Sequence, residues 1–150
     1  MSTSPPPLLS NLGVSVTISR AAKARILGHA AESLHFEACG LLFGDEGTIT
    51  RVQAAENVAD APEHRFEIDP EALFSAIRSE RQGGERMIGH YHSHPRGPSE
   101  PSEHDAAMAL DVGRLWLIVA DGEMRLWRVV ERHRFVAVEL SLASDGLNRH

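Results

Sequence analysis

His92 and His94 flank Ser93, and on an extended strand residues i and i+2 share a face, so both imidazoles can turn toward one point. That is a metal-ligand spacing. Catalytic zinc takes three protein ligands and leaves its fourth tetrahedral position to water, a pattern that two histidines and a carboxylate fill. Asp105 is the natural third ligand, because it stands one turn into a helix that Ser102 can cap, beyond a Gly-, Pro- and Ser-rich loop able to fold back over the histidines. Zinc lowers the pKa of its bound water from about 15.7 to about 7, and that water still needs a proton acceptor. Glu37 suits the role: it interrupts the apolar run Phe36 to Phe43, where burial without a partner such as a metal-bound water is costly and raises a carboxyl pKa. A hydroxyl near the metal can stabilise the oxyanion that forms when an amide carbonyl is attacked, and Ser102 is the candidate.

Each piece also has an ordinary reading. A His-Ser-His triplet is more often a surface or hydrogen-bonded pair, and Ser102 followed three residues later by an acid is similar to a capping box. Glu37 can be an edge-strand carboxylate, and Cys39 a small buried core residue. His90 can share the face of His92, while His29, His35 and His133 carry no functional reading. Two histidines and one carboxylate also describe the facial triad of non-haem iron enzymes. An oxygenase, however, has no particular need of Glu37 with Ser102. A zinc nucleoside deaminase needs a Cys-x-x-Cys pair, which a chain with one cysteine excludes.

The elements that must position these groups follow from periodicity. Val14, Val16 and Ile18 alternate as a strand, and Ser19 then caps a helix whose apolar face is Ile26, Leu27, Ala30, Ala31 and Leu34. Phe36 to Phe43 reads as a buried strand that turns through Asp45 to Gly47 into an antiparallel partner, Thr48 to Gln53. Residues 57–65 read as a loop. Asp69 and Pro70 open a second helix with Leu73, Phe74 and Ile77 as its apolar stripe, ending near Gly83 and Gly84. Met87 to Tyr91 is a strand that delivers the histidines, and Ser102 caps a third helix carrying Ala106, Ala107, Ala109 and Leu110. Strands at Trp116 to Ala120, Met124 to Val130 and Arg134 to Leu140 close the chain, with a hairpin turn at Asp121 and Gly122. The expected fold is a mixed α/β domain, a sheet covered by helices.

At 150 residues and 42% hydrophobic content, the chain has the apolar supply of one core. The Ser- and Pro-rich residues 1–11 read as a tail, residues 12–142 as the domain, and residues 143–150 as a polar C-terminal tail. A net charge of −6 with no basic block argues against nucleic acid or an anionic membrane as partner. One cysteine, no basic-then-apolar leader and no membrane-length apolar run lead us to expect a cytoplasmic protein.

Taken together, Gly89-His90-Tyr91-His92-Ser93-His94-Pro95 and Pro101-Ser102-Glu103-His104-Asp105 resemble the JAMM motif of the MPN+ (JAB-domain) metalloproteases: His-x-His-Pro, a spacer, then Ser-x-x-Asp, with a glutamate far upstream. Glu37-Ala38-Cys39-Gly40-Leu41-Leu42-Phe43-Gly44 looks like that upstream segment. Asn57-Val58-Ala59 and Phe66-Glu67-Ile68-Asp69-Pro70 look like the compact bacterial members. The resemblance implies a helix-flanked sheet laid out as in cytidine deaminases, with one Zn2+ per chain on His92, His94 and Asp105. It makes Glu37 the general acid/base and Ser102 the support of the tetrahedral intermediate. It further implies hydrolysis of a peptide or isopeptide bond after the C-terminal Gly-Gly of a small ubiquitin-like or sulfur-carrier protein, the slim tail lying along an exposed strand edge in a groove lined by residues 57–68. The short chain leaves little room for insertions that grip two ubiquitins, so linkage selectivity is not expected. Relatives of this kind often pair as homodimers. Others in the wider family have lost the metal and serve as scaffolds, but those lack the ligands present here.

Overall fold

A computed structural model describes residues 15–144. Most of the two expected tails, residues 1–11 and 143–150, therefore lies outside the described residues, as does Val14. Ala143 is inside them and is tucked in: it is buried, and its N–H donates to the Ile18 carbonyl.

Alternating apolar residues form β1 (Ser15–Ile18), and Ser19 caps α1 (Arg20–Glu32) by accepting from the Ala22 N–H. Two strands follow, β2 (Cys39–Asp45) and β3 (Thr48–Ala55), then α2 (Pro70–Arg81), begun by Asp69 and Pro70. After β4 (Arg86–Ser93) comes the short α3 (Glu103–Met108), and β5 (Leu115–Ala120), β6 (Glu123–Glu131) and β7 (Arg134–Leu142) end the domain.

The strand order is β1-β3-β2-β4-β5-β6-β7, with β7 returning to β1. The mixed α/β sheet expected from the sequence is present, but it curls until it closes. Among the described strands each has a neighbour on both sides, but β1 pairs with β3 only at Thr48 and Ile49, so residues 50–55 of β3 keep an edge that β1 does not pair.

One face of the sheet packs Val16, Ile18, Leu42, Ile88, Tyr91 and Leu117 against Ala22 and Ile26 of α1. The other packs Cys39, Leu41, Phe43 and Met87 against Ala76 of α2, with Ala72 and Leu73 alongside. Burial of each large apolar side chain here stabilises the fold by about 1.5–3 kcal/mol. Gly40 permits the first packing, since a Cβ on it would lie 2.4 Å from the Gln53 carbonyl oxygen and 2.4 Å from the Tyr91 ring.

Four expectations need correcting. The stripe on α2 is Ala72, Leu73 and Ala76 rather than Leu73, Phe74 and Ile77. Small alanines bring the helix close to the sheet, and Phe74 and Ile77 are left 62% and 38% exposed. Strand β2 begins at Cys39, and Phe36 is exposed. Leu34 lies beyond the end of α1 and is also exposed. Helix α3 stops at Met108, before Ala109, which is buried beside Trp116 and Val129, and before Leu110.

The pairing around β4 positions the site. It is antiparallel to β2 and parallel to β5, and a parallel pair needs a long crossover. Residues 94–114 make that crossover, which is why α3 arches back over the end of β4. On the antiparallel side Cys39 is paired with His92. Continuing that register by two residues sets Glu37 opposite His94.

Candidate metal centre

Ser93, between the two histidines, points away from them and fastens the two chains together. Its Oγ accepts from the Ala38 N–H at 2.8 Å, and its own N–H donates to the Ala38 carbonyl at 2.9 Å. The backbone beside Glu37 is thereby tied to the backbone between the histidines. The sequence reading missed Ser93. The signal was its parity, since a residue between two that face one way faces the other.

His92 Nε2, His94 Nε2 and Asp105 Oδ2 form a nearly equilateral triangle with sides of 3.1, 3.2 and 3.0 Å. All three residues are buried. Two ring nitrogens and a carboxylate oxygen that can each offer a lone pair to one point form a donor set suited to a cation, and without one the ring N–H groups can donate to the carboxylate. Ligands about 2.0–2.1 Å from a tetrahedral zinc are about 3.3 Å apart, so the spacing and the donor types fit that ion. The second nitrogen of His94, Nδ1, lies 2.6 Å from the Pro98 carbonyl. As a donor there it leaves Nε2 with the free lone pair, the usual way a ligand imidazole is oriented.

Asp105 is held by its own helix. Ser102 Oγ accepts from the Asp105 N–H at 3.0 Å, and Asp105 Oδ2 accepts from the Ser102 N–H at 2.9 Å, a reciprocal capping box. Burial works against the Asp105 charge, but hydrogen bonds from both histidines and from Ser102 hold its carboxyl well below the usual carboxylate range. Burial lowers the pKa of His92. For His94 burial acts the same way, yet hydrogen bonds to Asp105 and the Pro98 carbonyl, with the charges of Asp105 and Glu37, leave it raised.

Glu37 is the fourth titratable group at this point. Its carboxylate oxygen lies within 4.8 Å of the ring nitrogens of His92 and His94, close enough to share a metal ion with them or to reach a water on it. It is 6% exposed, and its Oε1 is buried with no hydrogen-bond partner among the described residues. Burial foremost, reinforced by the Asp105 charge and opposed by His94, pushes its carboxyl up to about 7. A carboxyl poised near neutrality can both take and return a proton. Glu37, Glu63, His64, His94, Pro98 and Ser102 are among the residues lining a cavity of about 250 Å3.

All five residues named from the sequence thus occupy one place. His90 shares the face of His92 but turns into the aromatic cluster, 4.4 Å from the Trp116 ring centroid, and burial pushes its pKa down to about 3. It lines a larger, apolar groove of about 460 Å3 bordered by Phe74, Ile77 and Met108, away from the converging ligand atoms.

Asn57 has a part in the site that its position in an aperiodic loop did not reveal. Its Nδ2 donates to the carbonyls of Glu37 and Arg65, and its Oδ1 accepts from the N–H groups of Ala59 and Glu67. One amide therefore holds the backbone of Glu37 to the loop that covers His92.

A family model described as prokaryotic homologs of the JAB domain matches residues 19–130. The chain is 38% identical over 116 residues to a desampylase of Haloferax volcanii, covering 71% of this chain and 84% of that one. It is 31% identical over 117 residues to a desampylase of Pyrococcus furiosus, covering 77% and 83%. Among solved structures, protein DSY2949 from Desulfitobacterium hafniense superposes with a TM-score of 0.73 at 29% identity, over 86% of this chain and 93% of that chain.

Proposed function

The chain belongs to the prokaryotic JAB-domain family, and from that premise we propose that it is a zinc-dependent isopeptidase cleaving after the C-terminal Gly-Gly of a ubiquitin-like or sulfur-carrier protein. The observation that carries this reading is the triangle of His92, His94 and Asp105 with the buried, unpartnered Glu37 Oε1 beside it. The names of the two desampylase relatives support an isopeptide conjugate as substrate.

His92 Nε2, His94 Nε2 and the Asp105 carboxylate would hold a zinc ion, which would supply Lewis acidity and lower the pKa of water toward neutrality. Glu37 Oε1 accepts a proton from the attacking water and returns it to the departing amine nitrogen, which a pKa of about 7 permits in both directions. Ser102 Oγ already accepts from the Asp105 N–H, so its hydroxyl hydrogen is left to donate to the carbonyl oxygen as charge builds there. The Pro98 carbonyl and the capping box keep His94 and Asp105 in register while the substrate changes shape. A diglycine tail lacks side chains that would clash in a narrow groove, and the cavity of about 250 Å3 beside Glu37 and Ser102 is of a size to admit it.

The test is to incubate purified protein and zinc with several small carriers fused or lysine-linked through Gly-Gly. We expect release of the group beyond the second glycine. Intact fusions across all carriers after long incubation would sink the proposal. An iron enzyme with the same ligands gains no support from Glu37 and Ser102, and metal analysis after purification without oxygen separates the two.

A further inference from the structure

The two candidate ligand histidines are supported in different ways. His94 has a hydrogen bond from Nδ1 to the Pro98 carbonyl. His92 is fully buried, its Nε2 turned toward His94 and Asp105, and its Nδ1 has no hydrogen-bond partner among the described residues. Its contact with Asp105 engages only the Nε2 that faces the site, so no second hydrogen bond from Nδ1 fixes the plane of the ring or its tautomer.

Ring contacts restrain it instead. The Phe66 ring lies over the imidazole of His92 with centroids 4.2 Å apart and planes inclined by only 21°, a stacked arrangement. Trp116 meets His92 at 84° and 5.7 Å, and it also meets Phe66, 75° and 5.8 Å away. A flat face on one side and an edge on another leave the imidazole one low-energy plane. Phe66 itself is held from both sides, because Asn57 accepts from the Glu67 N–H and donates to the Arg65 carbonyl, and the Val58 N–H donates to the Glu67 carbonyl.

We propose that Phe66 is a positioning residue for metal binding, its stacked ring orienting His92 as the Pro98 carbonyl orients His94. The inference rests on the reading that His92 is a ligand. A flat ring is then required at position 66, and an apolar side chain of similar bulk is not a substitute. Phe66→Tyr keeps the stack, whereas Phe66→Leu and Phe66→Met keep the packing against Trp116 without the plane.

Zinc affinity is measured by competition with a chromophoric chelator for wild type, the three variants and His92→Ala. The ligand-field bands of the cobalt-substituted proteins are recorded alongside, and urea unfolding of the metal-free proteins reports stability separately. We expect Phe66→Leu and Phe66→Met to bind zinc about tenfold or more weakly, the loss usual when a ligand's orienting partner is removed. Phe66→Tyr should stay close to wild type, and the cobalt bands should change only where the stack is lost. If the leucine variant does not fold, the methionine variant carries the test, since Met fills irregular apolar space readily. Wild-type affinity in the variants without the stack, or equal losses in Phe66→Tyr, would overturn the proposal. Zinc binding unaffected by His92→Ala would instead overturn the metal-site reading on which it rests.

Discussion

Replacing Glu37 by Gln should stabilise the metal-free protein increasingly as pH rises, while removing its activity. In the fold the Glu37 carboxyl is held at about 7 against an ordinary 4.5, so the folded state binds that proton more tightly than the unfolded chain does. A group with its folded pKa raised contributes stability that is full below the unfolded value and is lost as pH climbs through the folded one. At about 1.4 kcal/mol for each tenfold change in proton affinity, the wild type loses about 3 kcal/mol between pH 4.5 and 8 through this residue. Gln has nearly the same shape and does not titrate, so it loses none of it. The experiment is urea unfolding of both proteins after removal of metal by a chelator, at pH 5, 6, 7 and 8, with linear extrapolation to water. A constant offset reflects the amide's own hydrogen bonding and is not the quantity of interest. The difference should widen with pH in favour of Gln and flatten above pH 7. Parallel curves, or a difference that widens toward acid, would refute the argument that burial of this carboxyl dominates its energetics.

Further outcomes are expected. Metal analysis should find zinc retained by Glu37→Gln and lost from His94→Ala and Asp105→Ala, and equal loss in all three would show Glu37 to be a ligand rather than a base. Asp105→Ala also removes half of the capping box and the acceptor for both buried histidines, so its metal-free form should be less stable in thermal unfolding by at least about 1 kcal/mol. Gly40→Ala should cost about 1–3 kcal/mol, because its Cβ meets the Gln53 carbonyl oxygen at 2.4 Å. Gly28→Ala, exposed in α1 with nothing within 4 Å, should gain about 0.5–1 kcal/mol in the same assay. Cys39 is buried, and burial with the nearby Glu37 charge pushes its thiol up to about 12. Iodoacetamide at pH 8 should therefore leave the native protein unmodified, as shown by mass spectrometry, and label it only after unfolding.

Local chemistry made much of this site legible before any fold was known. The spacing of His92 and His94 carries their shared direction, because strand parity is a property of two adjacent peptide units. Ser102 and Asp105 announce a helix start, and the capping box in the fold is that signal realised. Glu37 stood out as a charge in an apolar run, and it is buried. Other features depended on neighbours distant in sequence. The stripe of α2 was misread because hydrophobicity does not say which apolar residues face the sheet. Close approach through Ala72 and Ala76 decided that, and it left Phe74 and Ile77 outside. The stacking of Phe66 on His92 and the bonds of Asn57 to Glu37, Arg65 and Glu67 join residues that no periodicity links.

The sequence by itself determined which side chains could bind a metal and move a proton, since donor type, parity and capping are set within a few residues of chain. Only the tertiary structure decided that they meet. Antiparallel pairing of β2 with β4 sets Glu37 opposite His94, and the parallel pairing of β4 with β5 forces the crossover that returns Asp105 over both histidines. Those pairings are chosen by burial of the whole sheet, a sum over residues far apart in the chain.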